Sequence, residues 1–262
     1  MRRWLGPMMA LGLAATSAHA QVVTNVTVTG EVSHPGEIAF EGAPRLADAV
    51  KSAQVNRNAY VLGAAWLRPS LQAQQARLKA GLVYELGLID DKAMADRRES
   101  LAGLARRTRE WISQMPVTGR QVVPTLEPHE VQANPSDNLP VHEGDHLIYP
   151  SRPDSVAVVG AVEQTCDVPH MGLKDVRGYL AGCASSPFAD PDDVYVIEPD
   201  GNVFELGIAL WNRSPPMAVA PGAILYVPFA RRATVRTVDE GFNRDMAAFI
   251  ATQPLGGSGM KP

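Results

Sequence analysis

The sequence predicts an α+β protein built from two tandem copies of one small domain. The stretch 26–53 recurs without a gap at 156–183, and both copies open on the pattern V-x-V-x-G-x-V. The ends of the copies match as well, because Val141–Pro150 aligns with Val219–Pro228. Glycine and proline are frequent, at 22 and 21 of 262 residues, as is typical of short strands joined by many turns. A duplication of one folding unit explains these observations together.

The second copy shows the order of elements most simply. Alternating apolar residues over Ser155–Val162 predict a half-buried first strand, and apolar residues at helical spacing over Leu173–Ala181 predict a helix. The β-rich runs Val194–Ile197 and Val203–Ile208 flank the turn sequence Pro-Asp-Gly-Asn and predict a hairpin, and Ile224–Val227 supplies the last strand. A helix crossing a small mixed sheet in ββαββ order is a β-grasp, or ubiquitin-like, arrangement. We expect it in both copies.

The first copy contains an insertion that the second lacks. The opening and closing glycines are 114 positions apart in the first copy and 62 apart in the second, a surplus of 52 residues. The surplus, at about 66–116, has a heptad-like apolar seam and predicts two helices that break at Asp90-Asp91 and pair as an antiparallel hairpin. The seam comprises Leu71, Leu78, Leu82, Leu86, Ile89, Met94, Leu101, Leu104, Thr108, Trp111 and Met115. We expect this hairpin to project from the first domain, because the second copy folds without it.

The N-terminus predicts export. Arg2 and Arg3 precede an apolar stretch and the cleavage pattern Ala18-His19-Ala20, which predicts a signal peptide over residues 1–20. The mature chain is then expected in the periplasm. It lacks a cysteine at the cleavage site for a lipoprotein anchor, and no later segment has the length and hydropathy of a membrane span. We place the first domain at 21–152 and the second at 153–232.

A separate element is predicted at the C-terminus. The capping-box pattern Thr237–Glu240 precedes apolar residues at helical spacing, which predicts an amphipathic helix over 236–253 and a disordered tail at 254–262. Three roles are open for this helix: docking on its own domains, contact with a partner or second copy, or contact with a membrane.

Charge and cysteine usage narrow the class of protein. The formal net charge is −4, and loss of Arg2 and Arg3 with the signal peptide leaves 22 basic against 28 acidic side chains, a net charge of −6. Such a chain lacks the basic surface of a nucleic-acid-binding protein. Cys166 and Cys183 are the two cysteines, and an oxidising compartment favours a disulfide between them. Two buried thiols or a redox role are the alternatives.

The motifs that resemble catalytic or metal sites lack the surrounding structure that such sites need. The string 142–146 reads H-E-x-x-H, but the zinc motif of that form needs a helix, and Pro140 and Gly144 oppose one. The equivalent segment of the second copy keeps the glycine without the histidines, so we predict a turn into the last strand. Asp190–Asp193 lacks the spacing of a calcium loop and is expected to be a solvated turn. We expect no enzyme, metal or cofactor, with a hydrolase whose carboxylates are distant in sequence as the alternative.

Two groups of residues are candidates for binding. The hairpin carries Arg106 and Arg109 among other arginines, which suggests a site for an anionic glycan or acidic partner, or else a solvated face with pairs such as Arg106 with Glu110. Trp211, Asn212 and Arg213 combine a flat apolar ring with hydrogen-bonding groups, as sugar sites do. Packing of Trp211 in the core is the alternative.

The tandem units resemble the β-grasp modules of Wza-type outer-membrane polysaccharide export proteins, and the whole mature chain resembles the capsule biosynthesis GfcC family. The likeness is carried by Pro116–Arg120, Arg152-Pro153, Trp211–Arg213 and Pro221-Gly222 before Tyr226–Pro228. It implies two β-grasp domains, an inserted hairpin, a C-terminal amphipathic helix and a part in capsule or exopolysaccharide production.

By this likeness, Arg120 is the residue expected in a functional pocket of the first domain, or else it begins a strand and pairs with a local acid. The implied function is a non-enzymatic accessory role in polysaccharide export. The partner would be the polysaccharide, the outer-membrane export machinery or both. An assembly adaptor that binds no sugar and a polymer-modifying hydrolase are the alternatives.

Overall fold

The structure, a computed structural model, describes residues 23–234 and 236–256. The predicted signal peptide lies outside this range. The strands are β1 (Val23–Gly30), β2 (Gly36–Glu41), β3 (Ala65–Leu67), β4 (Arg120–Gln121), β5 (Asp145–Tyr149), β6 (Ser155–Gly160), β7 (Cys166–Pro169), β8 (Asp193–Ile197), β9 (Val203–Gly207) and β10 (Ile224–Val227). The α-helices are α1 (Leu46–Ala53), α2 (Pro69–Ala95), α3 (Glu99–Gln114), α4 (Pro128–Ala133), α5 (Val176–Leu180), α6 (Arg231–Thr234) and α7 (Phe242–Ala251).

The described strands form two sheets with the same topology. Their orders are β2-β1-β5-β3-β4 and β7-β6-β10-β8-β9, which are identical position by position. In each sheet the first and last strands of the copy pair in parallel at the centre, with Val26 opposite Asp145 and Ala157 opposite Ile224. The other neighbours are antiparallel. Each sheet has five strands, one more than the predicted ββαββ order counts. The prediction of two tandem β-grasp domains is confirmed.

Alternation of side chains explains why the sheets form. In β1 Val26 and Val28 are fully buried, while the alternate residues Asn25, Thr27 and Thr29 are half-exposed. The predicted helix of the second domain is shorter than expected, because Leu173 has a φ of +60° and is 94% exposed. The helix therefore begins only at Val176.

The hairpin turns later than the sequence predicted. Helix α2 continues through Asp90-Asp91, and the turn lies at residues 96–98, where Arg97 has a φ of +58°. Asp90 is accommodated in the helix because it pairs with Arg106 on the opposite helix, with 3.4 Å between Oδ1 and Nε. The shift also changes the seam, since Ala93 is buried and the predicted seam residue Met94 is 51% exposed.

The expectation that the hairpin projects freely is wrong. Its apolar seam belongs to one continuous core with the second domain and α7. This core includes Leu82, Leu86, Ile89, Leu101, Leu104 and Trp111 of the hairpin, Val156, Val158, Tyr179 and Tyr226 of the second domain, and Phe242, Met246 and Phe249 of α7. The second domain and α7 are thus the further layer that covers the apolar stripe of the hairpin. The insertion in the first domain therefore covers the second.

The C-terminal helix docks on the chain's own domains. It begins at Phe242, six residues after the predicted start, and residues 237–241 form the turns that lead into it. Its apolar face is buried against α2, β8 and β9. The predicted disordered tail is wrong at its first residues, because Pro254 is buried and the side chain of Leu255 lies against Gly63 and Gly222. The rest of that tail, 257–262, lies outside the described residues. No helix in the described part of the chain has the length and apolarity to cross a membrane.

Candidate functional site

Arg120, the first residue of β4, is buried between the two domains and is only 6% exposed. Its guanidinium donates to four main-chain carbonyl oxygens, those of Pro199 at 2.6 Å, Ala251 at 3.2 Å, Gln253 at 3.2 Å and Ala64 at 3.4 Å. Burial lowers the pKa of Arg120 to about 10, so the group stays cationic at neutral pH. Arg120 is therefore enclosed by protein and does not line an open pocket. Its guanidinium bonds main-chain carbonyl oxygens and not a local acidic side chain.

The segment Pro116–Arg120 joins the hairpin to the end of α7. Thr118 Oγ1 donates to the carbonyl oxygen of Thr252 at 2.7 Å, and Gln253 Nε2 donates to that of Pro116 at 3.1 Å. Gly119 has a φ of +77°, and a Cβ there would lie 2.2 Å from a main-chain carbonyl oxygen. The motif that carries much of the family likeness is therefore an architectural junction.

The H-E-x-x-H string at 142–146 is a turn that leads into β5. Asp145 is 1% exposed and accepts a hydrogen bond from Trp66 Nε1 at 3.0 Å. His146 is bonded to Thr29 Oγ1 at 2.7 Å, and burial lowers its pKa, which favours the neutral ring. Within residues 23–234 and 236–256, no three His, Cys, Asp or Glu side chains are grouped to hold a metal ion.

The hairpin arginines contact the neighbouring helix. Arg106 pairs with Asp90 on α2, so the expected pairing with Glu110 is wrong. The guanidinium of Arg109 lies beside Gly87 of α2, where an added Cβ would be 3.7 Å from Cζ. Both arginines are exposed residues, yet the guanidinium groups of both lie against α2.

Trp211 lies in the loop after β9 and is 76% exposed, so the core-packing alternative is wrong. Its indole Nε1 donates to Asp192 Oδ1 at 3.0 Å, which fixes the ring although its face is open to solvent. Asn212 holds the loop from beneath, because its Nδ2 donates to Asp193 Oδ1 at 2.8 Å and its Oδ1 accepts from the main-chain nitrogen of Ala209 at 3.1 Å. The loop therefore presents a rigid aromatic platform.

The surroundings of this platform are acidic. Burial raises the pKa of Asp193, and the nearby carboxylates of Asp190, Glu205 and Asp192 raise it further. Arg213 is exposed, and none of the ion pairs in the described chain includes it. A face of this kind offers an apolar ring beside hydrogen-bond acceptors, which suits a neutral, hydroxyl-rich ligand.

Sequence reasoning found Trp211 and Asn212 but missed the residues that hold them. Asp192 and Asp193 belong to the segment that was expected to be a solvated turn. The run of three acids in Asp190–Asp193 was the available signal, since so many short acceptors together favour local hydrogen bonding.

Cys166 in β7 and Cys183 after α5 are joined by a disulfide, with Cα atoms 6.0 Å apart. Both sulfur atoms lie 3.4 Å from the carbonyl oxygen of Gln164. The bond thus ties the turn between β6 and β7 to the end of the helix that crosses the sheet.

These features define a class: tandem β-grasp proteins whose first domain carries a helical hairpin that packs on the second domain and on a C-terminal helix. Two family models match the chain, capsule biosynthesis GfcC N-terminal at residues 20–152 and capsule biosynthesis GfcC C-terminal at residues 164–254. The chain belongs to the capsule biosynthesis GfcC family. It is also similar to the uncharacterized protein YjbG of Escherichia coli (strain K12), at 28% identity over 183 residues that cover 68% of this chain and 73% of YjbG.

Proposed function

We propose that this protein is a non-catalytic accessory factor of capsule or exopolysaccharide biosynthesis and export, and that it binds polysaccharide through the Trp211 loop. The proposal rests on one observation, the indole of Trp211, which is 76% exposed yet fixed by its bond to Asp192. A fixed aromatic side chain loses little conformational entropy on binding, so more of its contact energy contributes to affinity. Membership of a capsule biosynthesis family supports polysaccharide as the class of ligand.

We place this function in the periplasm. The signal-peptide pattern of the N-terminus supports that location, although it lies outside the described residues. The Cys166–Cys183 disulfide supports it independently, because such bonds persist in oxidising compartments.

The test compares Trp211→Ala with Tyr84→Ala in a strain that lacks the gene. Tyr84 is the matched control, because it is an aromatic residue of α2 that is 67% exposed. We expect Trp211→Ala to fold, to lose binding of the strain's purified polysaccharide and to fail to restore surface polymer. Tyr84→Ala should behave as the wild type in all three respects. Full binding by Trp211→Ala would refute the site.

A second candidate function is an assembly adaptor that binds no sugar. It is favoured by Leu210, which is 85% exposed beside Trp211, because adjacent exposed apolar residues are common at protein contacts. Leu210→Ala separates the two functions. A sugar-stacking site should tolerate this change, whereas a protein contact should lose much of its affinity. Shortening of the native polymer by the purified protein would instead support the hydrolase.

A further inference from the structure

A cleft of about 310 Å³ separates α3 from the turn that follows β6. We call it the α3 cleft. Its lining comes from the hairpin on one side and from the second domain on the other. Arg107 and Trp111 lie on the hairpin side, and Glu163, Gln164 and Thr165 lie on the side of the second domain. The volume is at the small end of the range for ligand pockets, about 300–1,000 Å³, and it suits a short segment of a ligand.

Four polar side chains of the α3 cleft are free to bind a ligand. Within the described chain, no hydrogen bond or ion pair uses the side chain of Arg107, Glu163, Gln164 or Thr165. The cation of Arg107 and the carboxylate of Glu163 line the same cleft without pairing with each other. Because the two opposite charges do not pair with each other, each can interact with a different group of one ligand.

The backbone beneath these side chains is fixed. The main-chain nitrogen of Glu163 donates to the carbonyl oxygen of Ala184 at 2.9 Å, and that of Ala161 donates to Val227 at 2.8 Å. The disulfide holds the same turn, since both of its sulfur atoms lie against the carbonyl of Gln164. The cleft wall is therefore preorganised, which lowers the cost of binding.

We propose that the α3 cleft binds a carboxylate-bearing saccharide segment. Arg107 would take the carboxylate in a charge-assisted pair, while Glu163 would accept hydrogen bonds from ring hydroxyls and Gln164 would both accept from them and donate to them. Glu163 disfavours a densely charged anion such as phosphate or a run of acidic side chains, because its carboxylate repels every further negative charge, whereas the saccharide brings one carboxylate and several hydroxyl donors. The proposal rests on the proposed function for its class of ligand, and it adds a second site of different charge preference.

The test is an NMR titration of the ¹⁵N-labelled mature chain with two matched disaccharides. Cellobiuronic acid carries a carboxylate where cellobiose carries a hydroxymethyl group. We expect cellobiuronic acid to shift the amide resonances of residues 160–165 and of α3, with weaker binding as salt is raised. Cellobiose should bind this cleft at least about tenfold more weakly, the effect of losing one charged hydrogen bond.

Two arginine variants test whether Arg107 is the cation that binds the carboxylate. Arg107→Ala should weaken binding of cellobiuronic acid by about tenfold and remove its advantage over cellobiose. Arg109→Ala removes an equal charge from the same helix, at an exposed residue outside the cleft whose guanidinium lies beside α2, and should bind as the wild type does. Equal weakening by both variants would reduce the effect to net charge and overturn the site.

The remaining outcomes separate this proposal from the proposed function. The double variant Cys166→Ser, Cys183→Ser should weaken binding in the cleft while leaving polymer binding at Trp211 intact. Polymer binding that depends on Trp211, with no shifts at 160–165, would overturn the cleft alone. The opposite result is that cellobiuronic acid shifts the resonances of residues 160–165 while Trp211→Ala keeps full polymer binding. It would overturn the Trp211 site alone. Shifts caused by a hexaglutamate peptide and not by the saccharide would replace the ligand with an acidic protein segment.

Discussion

Arg120 Nη2 donates to the carbonyl oxygen of Pro199 over 2.6 Å, and this bond ties β4 of the first domain to the β8–β9 turn of the second. Gly201 in the same turn lies against the guanidinium, where an added Cβ would be 3.3 Å from Cζ. The turn Pro199–Asn202 is therefore an interdomain contact as well as a hairpin connection. A positive φ of 92° at Gly201 adds a second reason for glycine at that position.

Replacing Arg120 should destabilise the protein without touching its ligand sites. Arg120→Met fills much of the same space but leaves buried carbonyl oxygens without a donor, so we expect a loss of about 3 kcal/mol or more in the free energy of unfolding. Chemical unfolding of the purified variant measures this. Arg120→Lys should recover only part of the loss, because one ammonium group cannot span four acceptors.

An unchanged stability of Arg120→Met would contradict the architectural role. Binding of cellobiuronic acid and of polymer at low temperature should persist in the folded fraction of this variant. Loss of polymer binding with full stability would return Arg120 to a functional pocket.

Removal of the disulfide should lower the free energy of unfolding, because the unfolded chain then gains conformational entropy. Cys166 and Cys183 are 17 positions apart, and closing a loop of that length contributes about 3 kcal/mol in the chain-entropy model. The double serine variant should therefore unfold at lower denaturant, and the reduced wild type should match it. A wild-type protein whose unfolding is indifferent to reductant would argue against the bond.

Glu198 should make the protein less stable as the pH rises. Burial raises the pKa of its carboxyl above the ordinary value of 4.5, although its bond from the main-chain nitrogen of Ala220 opposes the shift. The folded state thus holds this proton more tightly than the unfolded state does. The resulting stabilisation is complete below the unfolded pKa and is lost as the pH rises through the folded one.

Glu198→Gln keeps an acceptor for Ala220 and removes the charge. We expect it to be more stable than the wild type at pH 7 and to converge with it near pH 4, as measured by thermal unfolding across that range. Glu37→Gln makes the same change of charge at an exposed position of β2 and is the control. A variant less stable than the wild type at pH 7 would contradict the burial argument.

The duplication made the fold predictable, because two copies of one pattern constrain each other. The glycine that closes each copy and the apolar alternation of Ser155–Val162 placed strands correctly. Boundaries failed where a single residue adopted an unexpected conformation, as at Leu173, or where a charge was neutralised across space, as at Asp90. Neither event leaves a mark in local sequence.

The sites were harder to predict than the fold. Trp211 was identifiable by its side-chain chemistry alone, but the sequence did not reveal its bond to Asp192. The α3 cleft was not predictable, because Arg107 and Gln164 meet only when the hairpin of one domain packs on the other. Periodicity reveals that a helix has an apolar stripe, but it does not reveal which surface covers that stripe.

The hairpin gives the sharpest test of this packing. Leu86 and Met94 both lie on α2 in the predicted seam, but Leu86 is fully buried in the shared core and Met94 is 51% exposed. Leu86→Ala should cost about 2–5 kcal/mol through the lost contacts and the cavity left behind. Met94→Ala should cost little, because it removes a side chain that already contacts water. Chemical unfolding of the two variants, side by side, measures the difference.

Excision of the hairpin extends the same argument to the whole insertion. Replacing residues 69–116 by a Gly-Asn turn would uncover the apolar face of α7 and of the second domain, and would also remove the Pro116 carbonyl that accepts a hydrogen bond from Gln253 Nε2. We therefore expect the shortened chain to bind the dye ANS and to aggregate, although loop closure itself changes by only about 0.6 kcal/mol per doubling of length. A soluble, cooperatively folding product would show that the second domain closes its own core without the hairpin. For the point variants, equal losses in the free energy of unfolding for Leu86→Ala and Met94→Ala would contradict the shared core.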